Sequence, residues 1–215
     1  MTAKPRDGRF VWVTWLSKLM AGEVSCEWAS WFRTNYQDWD RPPSDFDLAG
    51  WTLAHTRLLH ELRGRLTGRF ETLLVERQAQ FRYEVPSGLV LSGIPDLVGL
   101  SADGGTVYEV KTGRPRTSDG VQARIYMYCL PRAHPACAGR RLSGRVVYLD
   151  GHETQIPPEE AEGEFVDHLE YWLKILDSND PPERLPSEAK CGYCNIGHLD
   201  CPDRIAPALL DERRE

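Results

Sequence analysis

The segment from Gly93 to Tyr128 constrains this chain most. It reads Gly93-Ile94-Pro95-Asp96, then Glu109-Val110-Lys111-Thr112-Gly113, then Gln122-Ala123-Arg124-Ile125-Tyr126. Ile94 to Leu100 and Thr106 to Lys111 are rich in strand formers. They flank Ser101-Ala102-Asp103-Gly104-Gly105, a hairpin turn signal. Glu109 and Lys111 are two apart, so they share one face of their strand. A turn at Asp103-Gly104 brings Asp96 to that same face, unless a bulge at Pro95 shifts the count. Charged groups gathered on one face of an apolar hairpin are costly unless they bind something.

Around this hairpin the pattern alternates between helix and strand. Trp12, Trp15, Leu16, Leu19 and Met20 predict a helix over 12–21, ending at Gly22. A second helix is expected from Cys26 to about Gln37. Arg41-Pro42-Pro43 breaks the chain, and Ser44 or Asp45 can cap a third helix over about 46–66. Its stripe is Trp51, Leu58, Leu59, Leu62 and Leu66. A 100° step per residue puts His55 within that stripe and His60 on the opposite face. Further strands are expected from Leu73 to Val85 and from Leu89 to Leu91. A helix from Asp119 to Leu130 should stop at Pro131, and a hairpin should turn at Asp150-Gly151. Phe165, Leu169, Trp172, Leu173 and Leu176 mark a last long helix. Asp180 to Ser187 reads as a connector, and the charged tail after Arg204 is expected to fray. Strands mixed with helices predict an α/β fold, a mixed central sheet flanked by helices.

With 215 residues, 41% of them hydrophobic, the chain suits one domain, 1–215, with a core over about 45–177. The net charge of -6 argues against coating duplex DNA by charge alone. Local arginine clusters at Arg63, Arg65 and Arg69 and at Arg114, Arg116 and Arg124 still allow a basic groove. No run is long enough to span a bilayer, and no signal peptide is recognisable, so a cytoplasmic location is expected. In that compartment cysteines are metal ligands or core thiols rather than disulfides.

Two carboxylates beside a lysine suit metal-assisted hydrolysis of a phosphodiester. Asp96 and Glu109 would hold Mg²⁺ or Mn²⁺, with the Val110 carbonyl completing the shell. Lys111 would position water or neutralise charge. His55 is a candidate further ligand. Gln122 and Tyr126 share a helix face one turn apart. Either they form a polar helix edge, or they reach the site, Gln122 to hold phosphate or orient Lys111 and Tyr126 to stack on a base or support Lys111.

Together these residues resemble the PD-(D/E)XK nuclease superfamily, in its RecB-like branch. Pro95-Asp96, Glu109-Val110-Lys111 and Gln122 to Tyr126 match its motifs, and His55 matches its upstream helical histidine. The frequent Gly-x-x-x-His form is not met, because Trp51 stands in the glycine's place. The resemblance implies a mixed sheet flanked by helices, divalent-metal-dependent DNA cleavage, and Asp96, Glu109 and Lys111 as the catalytic core.

Cys191-Gly192-Tyr193-Cys194 followed by Cys201-Pro202 is a ligand pattern. The fourth ligand is His198, giving a Cys₃His zinc site, or Cys26. The resemblance favours Cys26. One RecB-like branch, including CRISPR-associated exonucleases, joins one N-terminal and three C-terminal cysteines on a [4Fe–4S] cluster. Cys26, Cys191, Cys194 and Cys201 match it, with 187–204 as the cluster subregion, and the cluster is preferred to zinc. Cys129 and Cys137 read as core or loop thiols.

The function expected is a DNA exonuclease acting on single strands or frayed ends, with a helicase or CRISPR-adaptation partner conceivable. A DNA-binding subunit without cleavage and a structure-specific endonuclease are the alternatives.

Overall fold

The computed structural model describes residues 1–24 and 26–205; the tail expected to fray lies largely outside them, at 206–215. The N-terminal region runs β1 (Lys4–Pro5), β2 (Phe10–Trp12), α1 (Val13–Met20), α2 (Glu27–Asn35) and β3 (Tyr36–Gln37). Then come α3 (Leu48–Leu66), β4 (Thr72–Val75), β5 (Phe81–Glu84), β6 (Val90–Gly93), β7 (Leu97–Ser101) and β8 (Gly104–Lys111). The rest is α4 (Thr117–Ala133), β9 (Leu142–Tyr148), β10 (Glu153–Ile156), α5 (Glu164–Leu176) and α6 (Glu188–Gly192).

The main sheet has the order β10-β9-β8-β7-β4. Its β8–β9 pair is parallel and the other pairs are antiparallel, so the sheet is mixed as expected. A parallel pair needs a crossover, and α4 supplies it. A smaller sheet, β2-β6-β5, adjoins it. The chain passes from one sheet to the other through Ile94-Pro95-Asp96, which lie outside both ladders.

Strand alternation divides the main sheet's side chains between two cores. Leu97, Tyr108, Val110 and Val147 pack against Leu58, Leu59, Leu62 and Leu66 of α3. Val98, Leu100, Val107 and Val146 join the larger core with α4, α1, α2 and α5. Glu109 and Lys111 share the parity of Val107 and so lie on the α4 face.

Several details differ from the sequence reading. The strand expected from Leu73 to Val85 is divided by a 3₁₀ turn at Glu76–Ala79 into β4 and β5, which belong to different sheets. The third helix is capped by Asp47, whose side chain accepts from the Gly50 amide, rather than by Ser44 or Asp45. Pro131 sits inside α4 rather than ending it. So near the C-terminus a proline costs little of the ladder, and Arg132 donates to the Tyr128 carbonyl at 2.7 Å. Finally, the hairpin pairs Ser101 with Gly104, so the turn is Ala102-Asp103. That register is two steps from the expected one, which preserves the parity of Asp96.

The two ends of the described chain are tied together. The buried Asp200 carboxylate accepts from the amides of Thr2 at 2.6 Å, Ala3 at 3.0 Å and Asp40 at 2.7 Å, and from the Thr2 hydroxyl at 2.6 Å. The indoles of Trp31 and Trp39 donate to Ser178 and Asn195 carbonyls. Burial alone would raise the Asp200 pKa, but the donors from Thr2, Ala3 and Asp40 bring it down to about 2. A carboxylate with a lowered folded-state pKa stabilises the fold above its unfolded value and loses that contribution as pH falls. Asp200→Asn should therefore cost about 2 kcal/mol at neutral pH by urea unfolding. The gap from the unsubstituted protein should be complete above about pH 3.8 and close toward about pH 2.

Candidate active site

The site is assembled where β7, β8 and α4 converge. Asp96 stands just before β7, across from Glu109 in the register that pairs Leu97 with Tyr108. One carboxylate oxygen of Asp96 accepts from the Val110 amide at 2.7 Å. A side chain thus takes the amide that a continued ladder would use. The other oxygen lies 3.3 Å from His55 Nε2. The bulge at Pro95 that could have shifted the count does not do so: Asp96 leaves the ladder just before β7 yet keeps its place across from Glu109.

His55 reaches Asp96 from the stripe of α3 that packs on the sheet, where its helical phase puts it. Its helix packs on the sheet face opposite Glu109 and Lys111. It meets Asp96 only because the ladder stops there. The hydrogen bond to Asp96 raises the imidazole pKa above its ordinary value, against the opposing effect of burial. His60 is exposed and away from the site, as its helical phase requires.

On the α4 face, Lys111 Nζ donates to Glu109 Oε1 at 3.1 Å and to Gln122 Oε1 at 2.8 Å. Gln122 Nε2 donates to Glu109 Oε1 at 2.7 Å and to Tyr126 Oη at 3.0 Å. The amide of Gln122 is fully used on protein partners, which leaves no donor for a phosphate. Its position serves the other expectation, orienting Lys111. Tyr126 is 1% exposed, packed edge-on against Phe81. The expectation that it stacks on a base is thereby contradicted; buried over β6, it supports Gln122. Its approach requires Gly93, since a Cβ there would meet Tyr126 Cε1 at 2.5 Å.

Sequence reasoning missed Asp119. It is buried in the first turn of α4, accepts from the Arg116 amide at 2.9 Å and lies 3.8 Å from Lys111 Nζ. Burial would lower the Lys111 pKa, but the charges of Glu109, Asp119 and Asp96 outweigh it and hold the ammonium above its ordinary range. The signal was available, because 119, 122 and 126 follow helical spacing along one face. Glu23 was also missed. Its carboxylate accepts from the Ser118 amide at 2.9 Å and hydroxyl at 2.8 Å, tying the loop before Cys26 to α4. That loop is set by Gly22, whose φ of 72° ends α1 in a left-handed turn.

Among the described residues, no cluster of His, Cys, Asp and Glu side chains is already gathered as a metal cage. The donor chemistry nevertheless fits a hard cation. Glu109 is 5% exposed, and its Oε2 is buried without a hydrogen-bond partner. Burial first, then the neighbouring Asp96 charge, pushes the Glu109 pKa up to about 7. A cation between Asp96 and Glu109 would satisfy that oxygen and remove the repulsion.

Cys26, Cys191, Cys194 and Cys201 line one small cavity with Trp28, Arg184 and Ile196. His198 is exposed and does not line it. Arg33 borders an adjoining pocket shared with Cys26 and Cys194. Cys129 and Cys137 are fully buried elsewhere, and burial raises both thiol pKa values, that of Cys137 to about 11. A larger cavity of about 550 Å³ lies by the C-terminal half of α4, away from the carboxylates.

The family model for the PD-(D/E)XK nuclease superfamily matches residues 15–199. The chain belongs to this superfamily. The match spans α3, the hairpin, α4 and Cys191 and Cys194. No curated protein matches the sequence. Among solved structures, the crystal structure of SSO0001 aligns with 94% of this chain and 90% of that chain, at 20% identity and a TM-score of 0.49. No helix among the described residues of this superfamily member is long and apolar enough to cross a membrane.

The raised pKa of Glu109 has a consequence for folding. A carboxyl whose folded-state pKa exceeds its unfolded value favours folding while protonated. That contribution is complete below about pH 4.5 and is lost as pH rises toward about 7. With divalent metal chelated, the protein should lose about 3 kcal/mol relative to Glu109→Gln across this window. Urea unfolding at several pH values measures the difference; parallel curves for the two proteins would contradict the assignment.

Proposed function

We propose that this chain is a divalent-metal-dependent DNA nuclease of the RecB-like branch, carried by one domain. Its most fitting activity is exonucleolytic hydrolysis of single-stranded or frayed ends. The observation that carries the reading is the hydrogen-bonded set Glu109–Lys111–Gln122, placed beside Asp96 with one Glu109 oxygen left unsatisfied.

In this reading Asp96 and Glu109 would hold Mg²⁺ or Mn²⁺, with His55 and the Val110 carbonyl as further ligands. The bound cation supplies acidification of a water and neutralisation of charge on the phosphate. Lys111, fixed by Gln122 and Glu109, is preorganised to stabilise charge as it develops on the phosphate oxygens. Tyr126 and Asp119 are positioning residues that keep Gln122 and Lys111 in place. To ligate, His55 would have to be neutral and so would give up the proton that Asp96 favours.

Cys26, Cys191, Cys194 and Cys201 are proposed to hold a [4Fe–4S] cluster that fixes the N-terminal helices against the C-terminal segment. Their shared cavity supports this, and Cys26 is better placed than His198 as the fourth ligand. Thiolate ligation suits iron–sulfur chemistry. By the same resemblance, a helicase or CRISPR-adaptation partner would deliver the strand, and the location would be cytoplasmic.

Cleavage should require added Mg²⁺ or Mn²⁺, and Lys111→Ala should lower kcat by about 10²- to 10³-fold. Undiminished cutting by that variant would remove Lys111 from the mechanism. Circular single-stranded DNA should survive, whereas its degradation would indicate an endonuclease. Anaerobically purified protein should be brown and contain about four iron atoms per chain, a content lost in Cys191→Ser. Colourless protein containing zinc would overturn the cluster.

A further inference from the structure

The apolar stripe of α3 runs past the end of the sheet. Leu58, Leu59, Leu62 and Leu66 are buried against β7 and β8. One turn toward the N-terminus, the same stripe delivers His55 to Asp96. A further turn brings Trp51, which lies outside that packed cluster and is 43% exposed. Phe46, 62% exposed, tilts against it at 6.4 Å between ring centroids. Trp51 also tilts against His55, with centroids 5.0 Å apart and planes 30° from parallel. A large aromatic surface on the core-facing stripe is thus left open immediately beside the proposed metal ligands.

We propose that Trp51, flanked by Phe46, is a stacking platform for an unpaired nucleobase next to the scissile phosphate. The proposal rests on the nuclease reading and extends it to the substrate. Three observations choose the base over other occupants. Trp51 reaches Asp96 through a single intervening side chain, so whatever covers the indole lies within about one nucleotide of the carboxylates. Tyr126, the aromatic that the sequence offered for stacking, is buried and hydrogen-bonded inside the fold. Stacking on an exposed indole is tolerant of base identity, which suits a strand that must slide through the site. A paired base has both faces covered by its neighbours, so the platform selects single strands or frayed ends.

The test compares the full-length protein with Trp51→Ala and Trp51→Phe. Binding of a fluorescent single-stranded oligonucleotide is read by anisotropy in Ca²⁺, and cleavage is read in Mg²⁺. Trp51→Ala should weaken binding and raise KM by about tenfold, an effect larger than any change in kcat, and Trp51→Phe should recover most of the loss. On an oligonucleotide made abasic near its cleavable end, the unsubstituted protein and Trp51→Ala should bind alike. Circular dichroism confirms that each variant is folded. Equal binding of the base-bearing strand by all three proteins overturns the platform. So does an equal penalty on the abasic strand, or a loss of self-association in Trp51→Ala, which would make the patch a protein interface. If the unsubstituted protein neither binds nor cuts single strands, the nuclease reading itself fails, separately from any result with the variants.

Discussion

The bridge made by Gln122 is the interaction on which the rest of the site depends. Its amide accepts from Lys111 and donates to Glu109 and Tyr126. Without it, a buried ammonium and a buried carboxylate would face each other with unsatisfied valences, an arrangement that costs several kcal/mol. With it, the charged pair is held in one geometry by a helix and a strand, both rigid. Because β8 and β9 are parallel, α4 crosses between them, and that crossover carries Gln122 to Glu109.

The carboxylates are poised against each other by a second device, the break in the ladder at Ile94-Pro95-Asp96. Proline cannot donate to a strand partner, and here the chain changes sheets. Asp96 then spends one oxygen on the Val110 amide and offers the other toward His55. The site thus takes residues from both faces of the sheet, gathered around its end. Electrostatic tension remains at Glu109, whose pKa of about 7 records burial beside another carboxylate. That tension is what a divalent cation would relieve.

Much of this was legible in the sequence because it depends on parity and helical phase. Two-residue spacing put Glu109 and Lys111 together, and a register slip of two steps left Asp96 on the same side. A slip of one would have reversed it. Phase separated His55 from His60. What escaped notice depends on tertiary placement. Trp51 belongs to the stripe by phase, but its exposure depends on where the sheet ends. Tyr126 lies on the right face, but its burial depends on β6 and Gly93 closing over it. Asp119 doubles as a cap and a neighbour of Lys111, and only the cap role is a local matter. Glu23 reaches Ser118 across 95 residues of chain, beyond any local pattern.

The central claim is that Asp96 and Glu109 form a cation site whose occupation expels a proton. Calorimetric titration with Mn²⁺ between pH 6 and 8, in buffers of differing ionisation enthalpy, tests it directly. The account predicts proton release from Glu109 and from His55, with affinity rising by at least about tenfold per pH unit below about pH 7 and less steeply above it. Binding of unchanged strength across that range, or retained in full by Glu109→Gln, would contradict it.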